Sequence, residues 1–570
     1  MMAILDKIAF NILFKDQKKK FDQFLRNTTP DSVLSNLHTC LVQEGTITVT
    51  PQAIFYTSSI QDASQKQPYW TKKSFQTHLA RTYPDTTIPE TAIDVLWSCF
   101  CFYAYHPFPL SGVGDRKLEL PAFESALILL SLQGTKLLGI EDDGFGRRWG
   151  AFRENCNCRA RINRIFRSIG LSSPQAISHP HATGFASLVT DDVIDTMRTL
   201  CPCHPKLAAT PEKLTPLAER LLDGRKVQFQ MKVNDLADLL CLIMRLRVYK
   251  TTWGRSFHYG SLDGSTPEKE ELANVLARSF CLDQDESLAP ALVLRALDIL
   301  PNLEQWFHQL WAALFQPSPT TELLSLDTES SADSAWDGIL RAVSLFVPPF
   351  EIHEKTDWNR KVKPVTFSKC HDWTSGSLTD SLGLSHVLQP TTHDDPKHRS
   401  HLVLLLGHQG PDSTRVVVGA FFSGGTQSPA ANEGKEPEKI QRSAIALPQL
   451  LFQLQPSFDL FRWSGEDTRS SLPICESDTG QTDYLNYVGD PTQSRVGVRI
   501  DPITSQATFF RGTATAARRR SGQYEEVTRK HEGSDIRHGD QQERQTDFTV
   551  TRLAIFNVEG GPYYDGEDPF

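Results

Sequence analysis

The chain has 570 residues, 39% hydrophobic and 22% charged, with 34 glycines, 34 prolines and a formal net charge of -9. That length exceeds one ordinary core and predicts two or three folding units, and the mixed composition excludes a wholly disordered chain. The negative balance disfavours a general nucleic-acid binder, which needs a concentrated basic face to displace counterions.

In chain order, residues 1–29 read as an amphipathic helical segment. Ile4, Leu5, Ile8, Ile12 and Leu13 recur near helical spacing, followed by Lys15, Lys18, Lys19 and Lys20. Two readings stay open: a helix docked on the next domain with a solvated basic end, or peripheral contact with an acidic membrane surface. Asp6, Lys7 and the lack of a small-residue cleavage site make a poor secretory signal, and Met2 stands where N-myristoylation requires glycine.

Residues 30–315 predict a helical domain. Apolar residues recur at three- and four-residue spacing over 217–222, 236–246 and 272–280, and 122–132 reads as a buried helix around Glu124. Residues 292–300 and 303–315 predict a helix pair jointed at Pro301, with Trp306, Phe307, Leu310, Trp311 and Leu314 on one face of the second. No run is long and apolar enough for a spanning helix. The polar stretch 316–324 reads as a linker.

Beyond residue 400 the period changes from helical to extended. The runs 401–406 and 415–422, divided by Gly407, Gly410 and Pro411, predict a hairpin; 450–454 and 458–463 predict another around Pro456. Strands follow over 484–488, 495–500, 507–511 and 548–558. The polar insertions 426–441 and 516–545 read as mobile loops, the second containing Arg518, Arg519 and Arg520. The fold class expected is α+β: a helical N-terminal domain, then a two-layer antiparallel β-sandwich over 325–562 flanked by helices, and a tail at 563–570.

Chemistry-bearing motifs are sparse. There is no G-x-S-x-G elbow and no phosphate-binding G-x-x-x-x-G-K-[ST] loop. Gly144, Gly146 and Gly150 lack dinucleotide-loop spacing. Asp283, Asp285 and Ser287 begin like a calcium loop, but Leu288 replaces the central glycine and Leu294 the final carboxylate. Cys156, Cys158, His179, His181, Cys201, Cys203 and His204 are the best zinc candidates, since zinc takes sulfur and imidazole in tetrahedral sets. Their C-x-C spacing lacks the usual knuckle turn, and buried cysteines also serve simply as small hydrophobes. The expectation is no metal, no cofactor and no catalytic residue. Eleven cysteines, an odd number without a secretory signal, fit a reduced compartment.

Six phrases in order carry a family resemblance: VVVGAFFSGG (416–425), LLFQLQPSFDLFRW (450–463), YLNYVGD (484–490), RVGVRID (495–501), ATFFRG (507–512) and DFTVTRLAIFNVEG (547–560). Together they resemble the TLDc domain family. With the long helical half and the phrase ALDILPNLEQWFHQLWAALF (296–315), the chain is most similar to the fungal restriction of telomere capping protein 5 group. The upstream segments 356–366 and 372–377 match loosely, and the glycine-rich segment is depleted to VGDPTQSRVGV. The resemblance implies a cytoplasmic, non-catalytic protein, peripheral at the vacuolar membrane, that binds V-ATPase subunits, alters the pump's assembly and is associated with oxidation resistance. No site residues come with it. The competing expectation is a stress-protective enzyme acting on oxidised species through its cysteines; direct nucleic-acid binding is not expected.

Overall fold

The structure is a computed structural model. It describes residues 15–44, 51–61, 67–108, 116–135, 137–138, 158–173, 183–201, 210–223, 228–253, 257–282, 286–317, 334–348, 362–374, 400–410, 413–422, 445–446, 448–464, 469–470, 487–490, 496–501, 504–512, 523–528 and 545–562. The chain is mixed helix and antiparallel sheet, and it divides between residues 345 and 346 into two compact units.

The first unit contains α1 (Lys15–Asn27), α2 (Pro30–Glu44), α3 (Pro51–Ser58), α4 (Lys72–Thr82), α5 (Glu90–Ala104), α6 (Leu120–Leu129), α7 (Cys158–Ile169), α8 (Thr183–Leu200), α9 (Pro211–Leu222) and α10 (Val233–Arg245). A hairpin of β1 (Leu246–Trp253) and β2 (Phe257–Leu262) precedes α11 (Pro267–Arg278), α12 (Leu303–Leu314) and α13 (Ser334–Val343). Its core is aromatic. Trp70 lies 4.5 Å from Phe123, Phe100 5.3 Å from Phe123 and 5.9 Å from Trp311, centroid to centroid. These tilted contacts, with those of Phe75 to Phe100 and Trp311, bring α4, α5, α6 and α12 together, and each ring adds directional attraction to its buried area. The last carbonyls of α12 have no partner within the helix. Tyr83 donates to Ala313 O at 2.8 Å and His78 Nε2 meets Leu314 O at 3.0 Å, so α4 caps α12 from within the core.

Three expectations change in this unit. The domain is not purely helical, because β1 and β2 pair antiparallel and are pinned to α12. Gln309 donates to His258 O and Gln316 to Gly260 O, both at 2.8 Å, and Gln316 Oε1 accepts from Gly260 N at 2.8 Å. Residues 292–300 are not one helix but two short turns, Pro290–Val293 and Ala296–Ile299, whose buried Leu292, Val293, Ala296, Leu297 and Ile299 gave the apolar spacing. Finally, the boundary lies later than residue 325. Helix α13 belongs to the helical unit: Lys269 on α11 reaches Asp337 at 2.9 Å, and Arg341 reaches Asp263 at 3.3 Å. Buried Trp336, Ile339, Ala342 and Val343 complete that attachment. The polar run 316–324 therefore does not mark the division between the units, and polarity alone could not tell.

The second unit holds β3 (Val362–Thr374), β4 (Ser400–Gln409), β5 (Thr414–Phe422), β6 (Leu450–Gln455), β7 (Asp459–Trp463), β8 (Tyr487–Asp490), β9 (Val496–Asp501), β10 (Gln506–Arg511), β11 (Tyr524–Glu526) and β12 (Gln545–Pro562). They form one ten-stranded sheet in the order β8-β9-β10-β12-β4-β5-β6-β7-β11, with β3 also paired to β12, and every ladder is antiparallel. The β4–β5 hairpin runs from His401 opposite Phe422 to Gln409 opposite Thr414. The helices expected to flank the sheet are not among the described residues of this unit.

The sheet folds over on itself. Four strands separate β7 from β10 in ladder order, which in a flat sheet means about 24 Å. Yet the Phe461 and Phe509 rings are 5.9 Å apart, and Arg511 Nε lies 2.9 Å from Asp459 Oδ2. The enclosed face carries Val403, Leu405, Val416, Val418, Leu451, Val498, Phe548 and Ile555 in a single apolar cluster. Period-two alternation puts these residues on one side and Leu402, Leu404, Val417 and Phe452 on the other, where they too are buried. Phe346 covers part of that second face, 4.9 Å from Phe452 and 5.0 Å from Phe458.

The insertion 516–545 is not wholly a loop. Within it, β11 pairs with β7, Tyr524 opposite Trp463, and the Tyr524 hydroxyl donates to Pro448 O at 2.6 Å. The insertion 426–441 and the tail 563–570 lie outside the described residues.

Candidate functional site

The densest charge in the described residues is buried in the helical unit. Helix α7 carries Arg161, Arg164 and Arg167 three residues apart, so the three guanidinium groups share one side of the helix. Ile162, Ile165, Phe166 and Ile169 fill the rest, leaving no solvated face for the arginines. Arg164 Nε donates to Asp192 at 2.9 Å and its Nη2 pairs with Asp195; Arg167 also pairs with Asp192, and Arg161 with Glu304 on α12. Burial alone pushes the Asp192 carboxyl up, but Arg167 and Arg164 outweigh it and hold the group below the usual carboxylate range. Burial wins at Asp195, which is raised despite Arg164. His106 sits in the same layer, where burial lowers it to about 3 and keeps the ring neutral, and its Nε2 has no hydrogen-bond partner. Positive and negative groups balance in pairs, and this layer fastens α7, α8 and α12 to one another. Paired buried charge of this kind is costly to break at one partner.

The thiols divide by burial. Cys99 and Cys101 on α5 are both pushed up to about 12 by burial, although Ser168 Oγ donates to Cys99 Sγ at 3.2 Å and opposes the shift. Both are protonated at neutral pH and unsuited to attack an oxidised species. Cys241 is raised for the same reason. Cys370 is exposed, at an irregularity in β3 where Ile555 faces His371 and Phe556 faces Lys369, leaving Cys370 unpaired in the ladder.

Most of the zinc candidates cannot be placed: Cys156, His179, His181, Cys203 and His204 lie outside the described residues. Cys158 begins α7 and Cys201 follows α8, and among the described residues no group of three or more potential ligands is arranged for a metal ion. Gly144, Gly146, Gly150, Asp283 and Asp285 also fall outside. Leu288 of the calcium-like stretch is buried and bridges to Cys281, while Ser287 bridges to Lys232, so these positions build core and backbone pairing. An apolar pocket of about 20 Å³, lined by Leu127, Trp253, Phe257, Trp311, Ala312 and Phe315, holds roughly one water and no cofactor.

The surface that sequence reading missed is β3. It pairs along β12 from Arg552–Thr374 to Pro562–Val362, and no strand is paired to its other edge among the described residues. Thr366, Ser368, Lys369, Cys370 and His371 are exposed, while Val365 is buried. Asp372 binds Arg552 at 2.7 Å and Lys369 at 3.0 Å, and His371 stacks on Trp373 with centroids 5.4 Å apart. An edge strand offers unpaired backbone groups to a partner, and the lysine and the ladder irregularity fit an edge protected from indiscriminate pairing. Val365 and Phe367 alternating with Thr366 and Ser368 is a period-two signal, too short to stand out beside two loosely matching segments. Among the described residues no helix is long and apolar enough to cross a membrane. No family model matches the chain, and neither a curated protein nor a solved structure matches it.

Proposed function

We propose that this protein is a non-catalytic, cytoplasmic regulator of TLDc type, its second unit a TLDc-like two-layer sandwich, that binds the cytosolic sector of the V-ATPase and alters the pump's assembly. The observation that supports this reading is that all six sequence phrases of the resemblance contribute strands to one antiparallel sheet in one unit. The sheet unit is the main contact, with the exposed edge strand β3 as its docking element. A fold alone does not carry a function, so the partner rests on the resemblance and the edge geometry is what makes a docking role physically reasonable. The protonated state of Cys99 and Cys101 weighs against the thiol-enzyme alternative.

The test is affinity isolation from cell extract with the intact chain and with a chain lacking 346–562. Pump subunits are expected with the intact chain and lost with the truncated one. Absence of pump subunits from the intact chain's isolates, under both assembled and disassembled conditions, contradicts the proposal. Whether assembly or disassembly is favoured follows from which state of the pump is bound more tightly.

A further inference from the structure

Helix α1 has the sequence KDQKKKFDQFLRN and two unlike faces. Phe21 is buried, Phe24 and Leu25 are half-buried, and Arg220 on α9 donates to Leu25 O at 2.7 Å and Thr28 O at 3.2 Å. The helix is therefore mounted on the helical unit by one face and by its C-terminal carbonyls. At 100° per residue, Lys15, Lys19 and Arg26 fall on a single stripe opposite Phe21 and Phe24, with Lys18 and Lys20 on either side. All five cations are exposed, and none forms an ion pair among the described residues. Lys72, Lys269 and Lys369, by contrast, are each paired with carboxylates. A chain of net charge -9 thus holds five unneutralised cations on one short, fixed helix, against Asp16 and Asp22.

We propose that this stripe is a docking surface for an anionic lipid bilayer. A row of extended amines fits a plane of negatively charged headgroups, each contributing additively to adsorption. The acidic balance of the chain disfavours a general nucleic-acid binder, which needs a concentrated basic face to displace counterions. The fourteen residues before the stripe supply Ile4, Leu5, Ile8, Phe10, Ile12, Leu13 and Phe14, a composition that a bilayer accepts and a nucleic acid does not. The inference stands apart from the V-ATPase reading, because its probe contains no protein partner.

The experiment is co-sedimentation of the full chain with phosphatidylcholine vesicles, plain or containing about 30% phosphatidylserine. The chain is expected to sediment with the anionic vesicles at about 0.1 M salt and to be released at about 0.5 M, where the screening length is only a few ångströms. K15Q/K19Q/R26Q is expected to weaken binding about a hundredfold, and D16N/D22N to strengthen it; thermal unfolding of both variants checks that they fold. Equal sedimentation with plain and anionic vesicles overturns the proposal. So does a folded K15Q/K19Q/R26Q chain that binds as wild type. Tighter binding to a DNA duplex than to anionic vesicles at matched salt marks a nucleic-acid surface instead. Displacement by inorganic phosphate beyond its ionic-strength effect marks a soluble-anion site, which also overturns the bilayer.

Discussion

Asp192 is the residue on which the buried charge layer turns, because it serves both Arg164 and Arg167. Asp192→Asn leaves Arg167 without its carboxylate and Arg164 with Asp195 alone in a buried layer, at an expected cost of about 3–5 kcal/mol in urea unfolding. A loss below about 1 kcal/mol implies that water reaches the layer. The neutral histidines set the acid side of stability. His78 is lowered to about 4 and His106 to about 3, in each case chiefly by burial. The unfolded chain takes up these protons below about pH 6.5 while the folded chain does not, so stability is fully present above that pH. It falls on acidification by about 1.4 kcal/mol per pH unit for each histidine until the folded values are reached. Unfolding curves between pH 7 and pH 4 for wild type and His106→Gln test this; the variant's dependence is expected to be shallower, and an identical slope contradicts it. Gly419 marks a close approach in the sheet unit, since a Cβ there meets Phe452 Cζ at 2.2 Å. Gly419→Ala is expected to destabilise by about 1–3 kcal/mol, with part of the loss recovered when Phe452 is shortened to leucine.

At the scale of elements, what was legible followed from periodicity, and what was missed followed from its absence. The β4–β5 hairpin was readable because Leu402 to Leu406 and Val416 to Phe422 are apolar runs bounded by glycine and proline, and central strands are buried on both faces. Strand β11 was not readable, since Tyr524-Glu525-Glu526 offers one apolar side chain in a charged stretch. Its place comes from backbone bonds to β7 and from the Tyr524 hydroxyl, both supplied by residues far away in sequence. Hydrogen exchange tests the element directly: the β11 amides bonded to β7 are expected to exchange far more slowly than amides of a solvated loop. Exchange at loop rates contradicts the pairing. The candidate site was legible to a similar degree. The three-residue spacing of Arg161, Arg164 and Arg167 is plain in the sequence, but a stripe of arginines at that spacing usually lines a solvated face. Only the packing of α7 against α8 and α12 turns it into a buried layer, and no local pattern in the chain records that.

At the scale of the molecule, one unit is built around aromatic rings and paired charges, and the other around a sheet closed over its own apolar face. The pocket in the helical unit has room for about one water, and burial keeps the Cys99 and Cys101 thiols protonated. The exposed features are a basic helix in the first unit and an edge strand in the second, both suited to recognition by surface contact. Recognition of the proton pump is the central claim. It is tested most directly by mixing the purified full chain with the isolated cytosolic sector of the V-ATPase and following co-migration by size-exclusion chromatography, with the assembled pump as a second sample. Saturable co-migration with at least one of the two forms is expected, together with its loss in a chain ending at residue 345 that retains the folded helical unit. A folded full chain that co-migrates with neither the free sector nor the assembled pump contradicts the claim.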